Sequence, residues 1–234
     1  MNRQRTLFFT LLLILTAHPA AGVDMRLPVN ITADSVEHVD ASATLLYSGN
    51  VEVTQGKEIT LRCDQLQLSR DEQNDSLITA TGAPVIFEQS GRNGSSRGEA
   101  SVVTYLVKQR LLRLEGSPLQ FHHQDQQGNQ TSGDALTANY DLHNERIEMS
   151  GSPIHIKHTK KSDHNKSPLT GEAGLIEYDL GSERLVMTGN AIIEQDGSKV
   201  VNDRIIFDLK QMNAVAGKKA SASTRVQTTI RLDK

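Results

Sequence analysis

Few residues in this chain could do covalent chemistry. Gly94-Ser95-Ser96-Arg97-Gly98 has the spacing G-x-S-x-G, in which a serine on a sharp strand-to-helix turn becomes the nucleophile of an acyl transfer. Here a polar loop is expected before the match, and Glu99 to Tyr105 alternates as a strand, so no helix is available to form the elbow. The histidines His122, His123, His155, His158 and His164 are types that hold metals. They lie in or beside turns rich in Gln, Asp and Lys, with no cysteine or paired carboxylates at ligand spacing, and a solvated loop is the plainer reading. Lys160, Lys161 and Lys166 could meet phosphate groups, although a run of charge is ordinarily a wet face. Cys63 is the only cysteine and has no internal disulfide partner; it reads as a small buried hydrophobe. The expectation is a protein that is not an enzyme, with no catalytic residues, no metal and no cofactor.

The elements that carry these residues are strands. The chain is organised around Val29 to Gln55, where Val29, Ile31 and Ala33 alternate, a polar turn is expected at Asp40 to Thr44, and a second strand closes on Gly49-Asn50-Val51-Glu52-Val53. The closing phrase, apolar alternation broken by a glycine, recurs at Gly82, Gly116, Gly151, Gly189 and, weakly, Gly217. Those glycines follow Gly49 at successive intervals of 33, 34, 35, 38 and 28 residues, a period typical of repeat architectures. Gly82-Ala83-Pro84, Gly116-Ser117-Pro118 and Gly151-Ser152-Pro153 sit between apolar strands. There glycine admits positive φ and proline removes a ladder donor, so each is a place where a strand bends or changes sheet. Tyr105 to Leu112, Tyr140 to His143 and Tyr178 to Gly181 read as strand–turn–strand. The fold class expected is all-β, built from about six degenerate units of about 34 residues, with one face of each strand apolar and the other wet.

Composition and the N-terminus set the compartment. A net charge of −3 does not suggest a nucleic-acid partner, and aromatics at 4% with no tryptophan leave an aliphatic interior. Arg3 and Arg5, the apolar run Leu7 to Leu15 and the small residues Ala20-Ala21-Gly22 form a secretory signal peptide over residues 1–22, with an uncleaved anchor as the competing reading. A β body is expected over 23–217. Residues 218–234 are basic, either a final edge strand or a frayed tail.

At this point the residues resemble a known family. The stretch from Ile31 through Arg70, followed by Ala80-Thr81-Gly82-Ala83-Pro84-Val85-Ile86-Phe87-Glu88-Gln89, is similar to periplasmic lipopolysaccharide-transport proteins of the OstA-like (LptA) family. The likeness is most specific in Tyr47 to Gly56 and resumes from Gly171 through Gly189 to Phe207. The resemblance implies an elongated, twisted, partly open β-jellyroll whose interior binds the acyl chains of lipopolysaccharide. It also implies a periplasmic location and head-to-tail assembly, with self-association and with jellyroll partners on an inner-membrane component and an outer-membrane translocon. Family positions that face lipid map onto Val29 and Phe87. One departure is length: about two further units are expected within Gly98 to Ser167.

Elementary energetics lead to the same reading. Alkyl chains gain about 0.8 kcal/mol per buried CH₂, so ten methylenes are worth about 8 kcal/mol. The lining expected for such a trough is Val29, Ile31, Val36, Val51, Val53, Leu66, Leu68, Val85, Phe87, Leu112, Leu114, Phe121, Ile147, Met149, Ile154, Ile156, Met187, Ile192, Ile205 and Phe207. A stacked β body also leaves unpaired edges, expected near Val29 to Ala33 and near Val215 to Thr229, to which related sheets could add. The rival readings are an inner-membrane-tethered jellyroll partner, a carbohydrate-active β-solenoid enzyme, and a structural or adhesive β protein with a filled interior.

Overall fold

The computed structural model describes residues 29–39, 44–57, 59–70, 76–91, 94–141, 143–144, 146–161, 167–179, 182, 184–208, 213–216 and 227–229. The signal segment, the turn expected from Asp40 and most of the basic tail lie outside those residues, as does His164. Two short strands open the chain, β1 (Val29–Thr32) and β2 (Ser35–Val39). Ten long ones follow: β3 (Thr44–Gln55), β4 (Ile59–Arg70), β5 (Ser76–Gly91), β6 (Gly94–Leu106), β7 (Leu111–Asp125), β8 (Gln130–Asp141), β9 (Arg146–Thr159), β10 (Leu169–Asp179), β11 (Arg184–Gln195) and β12 (Ser198–Asp208). Two short strands close it, β13 (Asn213–Ala216) and β14 (Gln227–Thr229).

All fourteen strands belong to one antiparallel sheet in the order β1-β3-β4 and onward to β13, with β2 also beside β3 and β14 beside β12. The sheet does not close on itself. At each end two short strands share one long neighbour: β1 pairs Glu52 to Gln55 while β2 pairs Thr44 to Ser48, and β13 pairs Ile205 to Asp208 while β14 pairs Lys199 to Val201. At an inter-strand spacing of about 4.8 Å, the path from β1 to β13 extends for about 50 Å.

The glycine corners are bends within strands. Where the sequence suggests two strands flanking Gly49, Gly82, Gly116, Gly151 and Gly189, one strand of 12 to 16 residues runs through each. Pairing slips at a common level across the sheet: between Ser48 and Val51, Arg62 and Gln65, Thr81 and Val85, Glu115 and Leu119, Asp134 and Thr137, and Thr188 and Ala191. Two local geometries make the bend. Gly49-Asn50 and Gly189-Asn190 both take positive φ, whereas Ala83-Pro84, Ser117-Pro118 and Ser152-Pro153 are cis peptides.

The bends fold the sheet over itself. Ile154, Ile176, Met187 and Ile205 are fully shielded from solvent, which a flat single layer cannot achieve. Gly171 lies beyond the bend from Met187, yet a Cβ built on it would come 3.1 Å from the Met187 methyl. The two halves of the strands therefore face each other across the core. The hairpin turns that end the strands are tied by aspartates: Asp141 accepts from the His143 and Asn144 amides, and Asp179 accepts from the Ser182 amide.

Candidate functional site

Register and burial arrange the inward side chains in rows that cross the sheet. On the half that begins at Gln55 and Ile59, the row next to the bend contains Val51, Cys63, Val85, Ala100, Leu119, Ala135, Ile154, Ala173 and Ala191, all buried. The second row runs in unbroken register through Ile31, Val53, Leu61, Phe87, Gly98, Phe121, Gly133, Ile156, Gly171, Ile193 and Val200. A third runs through Val29, Gln55, Ile59, Gln89, Ser96, His123, Thr131, His158 and Leu169. Across the bend, the opposite half contributes Leu66, Ala80, Val103, Leu114, Ala138, Met149, Ile176, Met187 and Ile205. Beyond them lies a row of Leu45, Leu68, Ile78, Tyr105, Leu112, Tyr140, Ile147, Tyr178, Leu185 and Phe207. None of these rows contains Asp, Glu, Lys or Arg.

The second row alternates large and absent side chains. Phe121 lies against Gly133, where an added Cβ would fall 2.6 Å from the ring, and Ile156 packs in the same way over Gly171. Glycine here provides room for a neighbour, since neither position takes positive φ. Burial along this row is uneven: Val53, Leu61 and Ile193 are as sealed as Val85, Leu119 and Ile154 beside the bend, while Ile31, Phe87, Phe121 and Ile156 are only half-buried. An apolar surface is thus kept within reach of solvent.

The expected lining residues are distributed unevenly over this interior. Val51, Val53, Leu66, Val85, Leu112, Ile154, Met187, Ile205 and Phe207 are fully buried in the apolar cluster. Val29, Ile31, Leu68, Phe87, Leu114, Ile147, Met149 and Ile156 are partly buried and pack against it. Phe121 is half-buried on the second row. Two residues stand elsewhere. Val36, on the short edge strand β2, is 59% exposed, and Ile192 lies between buried Ala191 and Ile193, so its side chain points to the opposite face. Sequence reasoning passed over Ile59, Leu61, Ile78, Tyr105, Ile176 and Ile193, which are buried. Ile59 and Leu61 alternate with Cys63, Ile78 with Ala80 and Ile193 with Ala191, a signal in the sequence that would have found them, whereas Tyr105, Tyr140 and Tyr178 were hidden by the turns that follow.

The opposite, outward face is charged. Glu52, Arg62, Glu88, Arg97 and Glu99 form a chain of ion pairs across β3 to β6, with Arg62 reaching Glu52 at 2.9 Å and Glu88 at 2.7 Å while Arg97 holds Glu88 and Glu99. The hydrogen bond from Arg62, followed by that from Arg97, holds the Glu88 carboxyl below its ordinary 4.5. A trough of about 850 Å³ spans β7 to β12 and has a mixed lining, with Arg113, Glu115, Glu148, Glu177 and Arg204 beside Leu114, Ile147 and Tyr178.

The chemistry-bearing residues take modest places. Ser95 and Ser96 lie inside β6, in extended backbone and not on an elbow, which corrects the loop expected before Gly98. Burial, reinforced by Asp64, pushes the Cys63 thiol up to about 12. Among the described residues no three His, Cys, Asp or Glu side chains gather closely enough to hold a metal ion. His155 meets Asp134 at 3.0 Å on the outward face.

An open, bent antiparallel sheet with an uncharged, partly accessible interior defines a class of β proteins. The family profile described as LptA/(LptD N-terminal domain) LPS transport protein matches residues 30–141 and 153–213, and the chain belongs to that family. The matched segments run through most of the region expected to hold additional units. A solved structure of LptH, described as the LptA-homologous periplasmic component of the lipopolysaccharide transport device of Pseudomonas aeruginosa, is 17% identical over 88% of this chain and 96% of that one. Its TM-score is 0.25. No curated protein matches the chain.

Proposed function

We propose that this protein is a non-enzymatic periplasmic lipid carrier that shields the acyl chains of lipopolysaccharide and bridges inner to outer membrane by head-to-tail assembly. The observation that carries the reading is the set of half-buried apolar side chains Ile31, Phe87, Phe121 and Ile156 on the second row, in rows that contain no charged side chain. Each methylene laid against such a surface gains about 0.8 kcal/mol, and a lining of aliphatic groups with few polar anchors lets a chain slide. Membership of a lipopolysaccharide-transport family supplies the cargo. The edges support assembly: among the described residues, β1, β2, β13 and β14 each have a strand partner on one side only, which a further strand could extend. A contact of the first edge with the last is heterologous and continues into a filament or a bridge.

Native mass spectrometry of the purified chain, with and without lipopolysaccharide, tests both halves. Lipid adducts and a ladder of oligomers are expected; a bare monomer under both conditions rejects the reading. Photo-cross-linking distinguishes the interior from the surface, with an adduct expected from a benzophenone at Phe87 and none from one at Val36. Replacing Ile31 on β1 by proline should remove the oligomers and leave the monomer folded, and sedimentation that matches wild type would sink edge-to-edge assembly.

A further inference from the structure

The third inward row differs from the two behind it. From Gln55 to His158 it presents Gln55, Gln89, Ser96, His123, Thr131 and His158, interrupted only by Ile59. Five of these occupy successive strands β5 to β9, a continuous line of about 19 Å at about 4.8 Å per strand. The row is built: Ser96 Oγ lies 2.8 Å from His123 Nδ1, and Thr131 Oγ1 lies 2.9 Å from His158 Nδ1. The imidazole of His158 retains Nε2 for a second partner. Gln89 is 7% exposed, and its Oε1 is buried with no hydrogen-bond partner. A buried acceptor left unmade is costly, and native proteins keep few of them.

We propose that this row is a binding site for the uncharged hydrogen-bonding linkage groups of an acylated guest: ester or amide carbonyls and hydroxyls. The proposal rests on the carrier reading. Phe87, Phe121 and Ile156 precede Gln89, His123 and His158 by two residues along their strands, a rise of about 7 Å. Alkyl chains lying on the apolar row therefore bring their first polar linkage to the level of the third. The row contains no Arg or Lys, which a phosphate or carboxylate would call for. Burial, with Lys160 nearby, lowers the pKa of His158, so its ring is neutral at pH 7 and can both donate and accept.

Two amphiphiles of equal chain length test this on the full chain: decanoyl-N-methylglucamide, with an amide and hydroxyls, and decyltrimethylammonium, which makes no hydrogen bonds. Gln89→Met and Thr131→Val are each expected to weaken the glucamide about tenfold, the worth of one hydrogen bond, and to leave the ammonium unchanged. Thermal melts report whether each variant folds, and unliganded Gln89→Met should melt no lower than wild type because its unpaired oxygen is gone. Equal loss for both amphiphiles, or no loss for either, overturns the site while leaving the carrier reading standing. If wild-type protein binds neither amphiphile, the carrier reading fails and the site with it.

Discussion

At the scale of single residues, environment decides behaviour more than residue type does. Cys63 is a thiol that burial has disarmed: a pKa near 12 leaves almost no thiolate at neutral pH. Alkylation by iodoacetamide is expected only after denaturation, and rapid labelling of the native chain would show that the bend is not sealed. His155 and His158 differ by three positions and titrate in opposite directions. The hydrogen bond to Asp134 raises His155 above 6.5, whereas desolvation lowers His158 below it. His155 therefore contributes stability that is present below pH 6.5 and lost as pH rises through its folded value. Proton–nitrogen correlation spectra across this range should resolve the two curves in that order. None of this was legible in the sequence, where both histidines appeared as members of a solvated loop. Strand alternation puts His155 outside and His158 inside.

At the scale of the element, the bend is the decisive feature, and its two forms have different lengths. After Gly49-Asn50 and Gly189-Asn190 the next inward residue is two positions past the glycine, Val51 and Ala191. After the glycine–proline corners it is three positions past, Val85, Leu119 and Ile154. Ile192, three positions past Gly189, therefore falls between the inward residues Ala191 and Ile193 and faces outward. The Gly-Asn corners also lend themselves to a comparison. Gly49 and Gly189 have φ of +77 and +78, so alanine at either is strained by about 1–2 kcal/mol. At Gly49 the added Cβ would also meet Asp34 Oδ2 at 2.4 Å, whereas at Gly189 the nearest atom is 3.5 Å away. Urea unfolding should therefore find Gly49→Ala more destabilising than Gly189→Ala. Equal values would mean that the hydrogen bonds from the Asp34 backbone N–H to the Gly49 carbonyl and from Asn50 Nδ2 to the Asp34 carboxylate hold nothing in place.

At the scale of the whole molecule, stability rests on a single bent sheet, and the outward ion pairs tie neighbouring strands along it. The depressed Glu88 contributes stability that is present above its unfolded value of about 4.5 and is lost as pH falls through the lower folded value. Denaturation midpoints for Glu88→Gln should vary less with pH below about 5 than those of wild type; parallel profiles would remove the network from the account. With side chains 37% to 49% exposed at Arg62, Glu88 and Arg97, the effect is modest and weakens with salt. Among the described residues the sheet ends on short strands at both sides, the feature on which the proposed edge-to-edge assembly rests.

The sequence by itself determined that this is an all-β chain of repeating units with an aliphatic interior, because alternation and turn residues are local signals. It also pointed to the family through the phrase from Tyr47 to Gly56. Tertiary structure decided which apolar residues are sealed and which are only half-covered. Val85 and Phe87 read alike in one dimension, but the first is sealed beside the bend and the second, one row further along the strand, is half-buried. It likewise brought Gln89, Ser96, His123, Thr131 and His158 into one line, residues that occur 7 to 27 positions apart in the chain. Register across five strands joins them, and register is a property of neighbours that no single strand contains.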